Sequence, residues 1–131
     1  MFNWRRPDNL GVTNGRLAPC RGTPNCVSSQ ADAADAEHYI TPIVFKGTAV
    51  EAMVAAKRAV ESMERTKIIR EEGRYLYAEF RSKLLGYVDD VELYFDGNAF
   101  QVRSASRLGR RDFGVNRERV ERLRALITQK P

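Results

Sequence analysis

The sequence predicts an α+β domain: a four-stranded antiparallel meander with two helices packed on one face, in the order helix-strand-strand-strand-strand-helix, behind an irregular N-terminal arm. Three observations carry this expectation. A capping box opens an apolar helical stripe at Thr48, four alternating runs separated by turn signals follow, and a second helical stripe closes the chain.

Residues 1 to about 36 are dense in Gly, Pro, Asn, Ser and Asp and hold no sustained period, which marks the arm. Residues 37–131 form the single α+β domain. His38 to Phe45 is a candidate edge strand, with Pro42 tolerated where its missing donor faces away from a ladder. Thr48-Ala-Val-Glu51 is the capping box, and Val50, Met53, Val54, Val60 and Met63 supply the apolar face of a helix over about 49 to 64. Strands are expected at Lys67 to Glu72, Arg74 to Ser82, Val88 to Phe95 and Ala99 to Ala105, with tight turns at Glu72-Gly73 and Asp96-Gly97-Asn98. The last helix is expected to start at Asn116 as N-cap, with Val115 and Val120 as a hydrophobic staple and Val120, Leu123, Leu126 and Ile127 as its buried stripe.

Alternation puts Leu76, Ala78, Phe80, Val91, Leu93, Phe95, Phe100 and Val102 on the face that carries the helices. The opposite face gathers Tyr75, Tyr77, Glu79 and Arg81, then Asp90, Glu92 and Tyr94, then Gln101 and Arg103. It reads as a solvated surface of cross-strand ion pairs, or as a polar surface whose Tyr75, Tyr77 and Tyr94 meet a partner. A turn on Asp96-Gly97 sets Arg103 opposite Asp90, and one on Gly97-Asn98 sets it opposite Glu92.

A length of 131 residues, 43% hydrophobic and 30% charged, suits one globular domain and leaves no room for a second. The net charge of +5 fits an anionic partner as well as a plain solubility device. No apolar run approaches the ~20 residues of a membrane span, and the first residues lack a signal peptide's apolar stretch. The expected compartment is therefore cytoplasmic, or periplasmic or lumenal if a leader was removed. Cys20 and Cys26 lie six positions apart, a spacing that allows a small disulfide loop but is not a C-x-x-C redox or zinc site. With His38 as the single histidine, neither a metal nor a cofactor is expected.

The segment Arg103 to Arg119 is the first place to look for function. Arg103, Arg107, Arg110 and Arg111 precede a helix N-terminus, whose open N–H groups and dipole favour an anion. Arg103, Ser104, Ser106, Arg107, Arg111, Asn116 and Arg117 are the candidate ligand-binding residues, with Asp89, Asp90 and Asp112 as supporting carboxylates. Asp89 and Asp90 are adjacent on a strand, so they point to opposite faces and cannot share a proton as a catalytic dyad. Gly109 to Gly114 is followed by Val-Asn rather than Lys and Ser/Thr, there is no G-x-S-x-G elbow, and His38 beside Ser28 or Ser29 is the sole imidazole–serine option. No catalytic residue is assigned. Nucleic-acid binding is not expected, because the element order differs from the RNA-recognition module and Glu79, Asp90 and Glu92 repel phosphates.

Pro24 to Ser29 (Pro-Asn-Cys-Val-Ser-Ser), Gly86 to Glu92 (Gly-Tyr-Val-Asp-Asp-Val-Glu) and Arg103 to Arg119 resemble the signature blocks of the family catalogued as domain of unknown function 1499. The resemblance covers about Pro19 to Leu126. It implies a single-domain protein of bacteria and plastid-bearing eukaryotes, often behind a membrane anchor or export leader, and implies no activity. Two functions follow from the residues. The favoured one is a structural or protein-interaction module in which the arginines and aspartates brace the fold internally, acids beside the arginines cancelling the field an anion needs. The alternative is a module that binds a small phosphate or carboxylate in the elbow before the last helix.

Overall fold

The computed structural model describes residues 5–84, 86–109 and 112–129. Its elements are β1 (Cys26–Ser28), β2 (Ile43–Val44), α1 (Ala49–Ser62), β3 (Thr66–Glu72), β4 (Tyr75–Arg81), β5 (Val88–Phe95), β6 (Ala99–Ser106) and α2 (Val115–Thr128). The α+β class and the two helices match expectation, but the sheet has six strands, not four. The meander β3-β4-β5-β6 is extended along the outer edge of β6 by β1 and β2, both antiparallel to it. Cys26, Val27 and Ser28 stand opposite Ala105, Ser104 and Arg103, and Ile43 and Val44 stand opposite Phe100 and Ala99. The arm is thus partly sheet. An uncovered β6 would show a row of unpaired N–H and C=O groups, so short segments with no strand pattern of their own are recruited to it.

Thr48 caps α1 as its side chain accepts from the Glu51 N–H, and the Glu51 carboxylate accepts from Thr48 in return. The helix buries Ala52, Ala56, Ala59 and Val60, while Val50 and Val54 face solvent against expectation. Alanines let the helix axis approach the sheet closely, and that close seam, not the bulkier valines, selects the inward stripe. Its seat is a sheet face whose center is Leu76, Leu93 and Val102, with Phe95 and Phe100 tilted against each other at 5.2 Å. Burying each such aromatic contributes about 1.5–3 kcal/mol. On α2, Val120, Leu123 and Ile127 point into this core as expected, with Leu126 packed beside them. The Val115–Val120 staple is absent, since α2 starts at Val115 and that side chain is 44% exposed.

The second face is not solvated. Leu10, Val12 and Leu17 of the arm pack over Tyr75, Tyr77, Ile69 and Tyr94 in a smaller second core. The sheet is therefore the middle layer, with helices on one side and the arm on the other. Among the described residues no helix is long and apolar enough to cross a membrane.

Candidate functional site

Strand register assembles the polar center. Glu92 stands opposite Arg103 and Tyr77, and Asp90 stands opposite Glu79, so one face gathers three carboxylates, a tyrosine and an arginine. The three-residue turn Asp96-Gly97-Asn98 sets this register, the Asp96 carboxylate accepting from the Asn98 and Ala99 N–H groups and Gly97 taking a φ of +110°. Of the two expected registers, the one placing Glu92 across from Arg103 is observed.

Arg107, just past β6, reaches back over this face. Its Nε donates to Asp90 Oδ2 at 2.9 Å, and its Nη2 to Asp90 Oδ1 at 2.8 Å and Glu79 Oε2 at 2.6 Å. Tyr77 donates its hydroxyl to Asp90, and Arg6 of the arm holds the same Glu79 oxygen at 2.9 Å. Burial alone would raise the Glu79 carboxyl, but Arg107 and Arg6 together outweigh it and hold it below the ordinary value. The Tyr77 hydroxyl is pushed well up by burial and by Asp90, while the bond to Asp90 raises Arg107 further. One step along, Arg103 contacts Glu92 at 3.3 Å, and the other Glu92 oxygen accepts from the Tyr75 hydroxyl at 2.6 Å and the Gly11 N–H at 2.7 Å. Carboxylates therefore pin the arm at Arg6 and Gly11.

Through the sheet, a separate polar cluster lies under α2. Asp112 accepts from the Gly114 and Asn116 N–H groups at 3.0 and 3.1 Å and from Asn116 Nδ2 at 2.7 Å. Asp112, not Asn116, therefore satisfies the helix start; Asn116 sits inside the first turn, fully buried, and Gly114 is the N-cap at φ +82°. Asn116 ties Ser104 and Ser106 of β6 to the Asn25 carbonyl. Arg119 pairs with Asp89 at 2.8 Å and lies over the Phe80 ring at 5.0 Å. Burial raises the Asp89 carboxyl despite that pair. Arg117 donates to the carbonyls of Ala36, Glu37 and Tyr39, and Arg124 to those of Thr41 and Pro42.

The expected ligand residues are thus split. Arg103, Arg107 and Asp90 share the arm face, Ser104, Ser106, Asn116, Asp89 and Asp112 lie on the helix side, and Arg117 holds the arm farther out. Arg111, like Arg110, lies outside the described residues. At the elbow the Gly114 and Asn116 N–H groups are taken by the Asp112 carboxylate. Tyr75 and Tyr77 are buried and Tyr94 is half-buried, so the expected partner face is covered by the arm. Sequence reasoning assigned no role to Arg6, Asn25 or Arg119. Strand parity had already put Glu79 and Glu92 on the Arg103 face, whereas nothing local marks Arg6 as a partner of residue 79.

Cys20 and Cys26 are joined in a disulfide. His38 lies against that loop, with Nδ1 at 2.7 Å from Asp35 Oδ2 and Nε2 at 2.9 Å from the Thr23 carbonyl. Both contacts ask the ring to donate, so the doubly protonated ring fits, and the Asp35 bond raises its pKa. Ser28 and Ser29 bond elsewhere, Ser29 to Gln101, so His38 activates neither. Among the described residues no group of three or more His, Cys, Asp or Glu is placed to hold a metal.

No curated protein and no solved structure matches the chain. A family model does match, over residues 16–127, a span that takes in the disulfide loop, the whole sheet and nearly all of α2. Those residues make both polar clusters except Arg6 and Gly11, and on that match the chain belongs to the DUF1499 family of proteins of unknown function.

Proposed function

We propose that the chain is a protein-interaction module whose arginine–carboxylate clusters act as an internal brace. One observation carries this reading: Arg103, Arg107 and Arg117, the candidate ligand arginines among the described residues, each bond a carboxylate or a main-chain carbonyl of the same chain, and Arg119 pairs with Asp89 likewise. A brace of that kind contributes little net stability over an apolar core, but it fixes one arrangement of arm, sheet and helix.

What it holds in place is the loop end of the sheet. Phe113 is 90% exposed at a φ of +53°, a conformation that costs a bulky residue of order 1–2 kcal/mol. Beside it runs a groove of about 580 Å³, lined by Tyr87, Val88, Leu108 and Val115. Its lining also carries the exposed Ser82, whose hydroxyl suits a peptide's main chain and which hydrocarbon has no use for. The occupant is a protein segment that inserts an apolar side chain.

A photo-crosslinking residue at position 113, introduced in the producing cells, tests this. A discrete crosslinked protein is expected, lost on Leu108→Asp while the melting temperature stays within a few degrees. Crosslinks to lipid alone, none at all, or crosslinks indifferent to Leu108→Asp would overturn the reading.

A further inference from the structure

A different cavity lies on the arm side of the sheet, between the arm and the disulfide loop. It measures about 420 Å³, and its lining includes Arg5, Asn9, Arg21, Asp90, Arg103 and Arg107. Charge around it does not cancel. Arg6, Arg103 and Arg107 are matched by Glu79, Asp90 and Glu92, three against three. Arg5 and Arg21 are left over at the exposed rim, and among the described residues neither side chain has an ion pair or hydrogen bond.

The wall adds a sharper signal. Two buried side-chain polar atoms among the described residues have no hydrogen-bond partner, Arg103 Nε and Asn9 Oδ1, and both residues line this one cavity. Arg103 is 5% exposed, and its Nη1 already serves Glu92. Buried polar atoms are nearly always satisfied, so a donor and an acceptor orphaned in one wall call for a guest that supplies the complement of each.

We propose that this cavity binds a small organic oxyanion that also carries a hydroxyl group. The oxyanion accepts from Arg103 Nε and takes the charge of Arg5 and Arg21, and the hydroxyl donates to Asn9 Oδ1. The volume is in the lower part of the ~300–1,000 Å³ range of ligand pockets, which suits a compact hydroxycarboxylate or the phosphate ester of a small polyol. This site differs from the elbow before α2, where Asp112 takes the Gly114 and Asn116 N–H groups.

Titration calorimetry on the full chain decides it, with malate and glycerol 3-phosphate as probes and succinate and inorganic phosphate as counterparts lacking the hydroxyl-bearing carbon. One-site binding of a hydroxyl probe is expected, at least tenfold tighter than its counterpart. Whichever of the two probes binds assigns a carboxylate or a phosphate as the anion. Arg5→Ala with Arg21→Ala weakens binding about tenfold or more without moving the ligand-free melting temperature, and Asn9→Ala erases the preference for the hydroxyl. No heat with any probe at millimolar concentration would sink the proposal. So would binding indifferent to the double variant, or affinity that tracks charge and ionic strength alone with no hydroxyl preference.

Discussion

Arg107→Met keeps the aliphatic stem and removes the guanidinium, leaving Asp90 and Glu79 buried at 2% and 4% exposure. Three short bonds to carboxylates disappear, at 2.9, 2.8 and 2.6 Å. Deleting one member of a buried ion pair costs about 3–5 kcal/mol, because the other charge stays behind unpaired. Two compensations put this case near the lower bound: Tyr77 still donates to Asp90, and Arg6, half exposed and hence screened, still holds Glu79. The expected loss is about 3 kcal/mol, or about 10 °C in melting temperature at this chain length. Urea unfolding followed by circular dichroism at pH 7 measures it. The sign with pH also follows. Glu79 has a depressed folded pKa, so its stabilisation is present above the unfolded value and is lost as pH falls through the folded one. The gap between wild type and variant should therefore be widest at neutral pH and narrow in acid, and Arg107→Met with Asp90→Asn should recover part of the loss. A neutral-pH loss under about 1 kcal/mol, or strictly additive single and double variants, would refute the brace.

Asp112→Ala uncovers two N–H groups at the start of α2 and frees Asn116, for a loss of about 1–2 kcal/mol in chemical denaturation, with Asp112→Asn retaining part of the cap. His38 has a raised folded pKa, so its contribution is whole below the unfolded value of about 6.5 and fades as pH rises through the folded value. Wild type should thus lose stability relative to His38→Gln over that window, and NMR titration of the ring should report a pKa above that of a free histidine. Reducing the Cys20–Cys26 disulfide, which closes a loop spanning six positions, should cost about 2 kcal/mol in a melting experiment run with and without reductant.

Local pattern made much of the fold legible. The capping box at Thr48, the alternation through β4, β5 and β6 and the Val120–Leu123–Ile127 stripe each specify their element within a few residues, because each is a short-range hydrogen-bond or periodicity signal. Parity along β5 likewise foretold that Asp89 and Asp90 serve opposite faces, as Arg119 and Arg107 now bear out. The failures are of another kind. Three residues of β1 and two of β2 are too few to carry a period, and it is the open edge of β6 that makes them strands. Arg103 and Arg107 look alike in sequence, yet one keeps an orphaned Nε and the other donates its Nε to Asp90 and its Nη2 to Glu79.

The sequence by itself determined the class of fold, the order of the helices and meander strands and the inward face of the sheet, since these depend on neighbours within a turn or a strand pair. Only tertiary structure decided what covers the outer face. Arg103 and Arg107 pair Glu79, Asp90 and Glu92 from β6 and just past it, but whether Glu79 and Glu92 also meet water or protein depends on where a patternless arm comes to rest, seventy-odd positions away at Arg6 and more at Gly11. That placement rests on pairing buried charges and closing a sheet edge, and both are satisfied only once the whole chain is assembled.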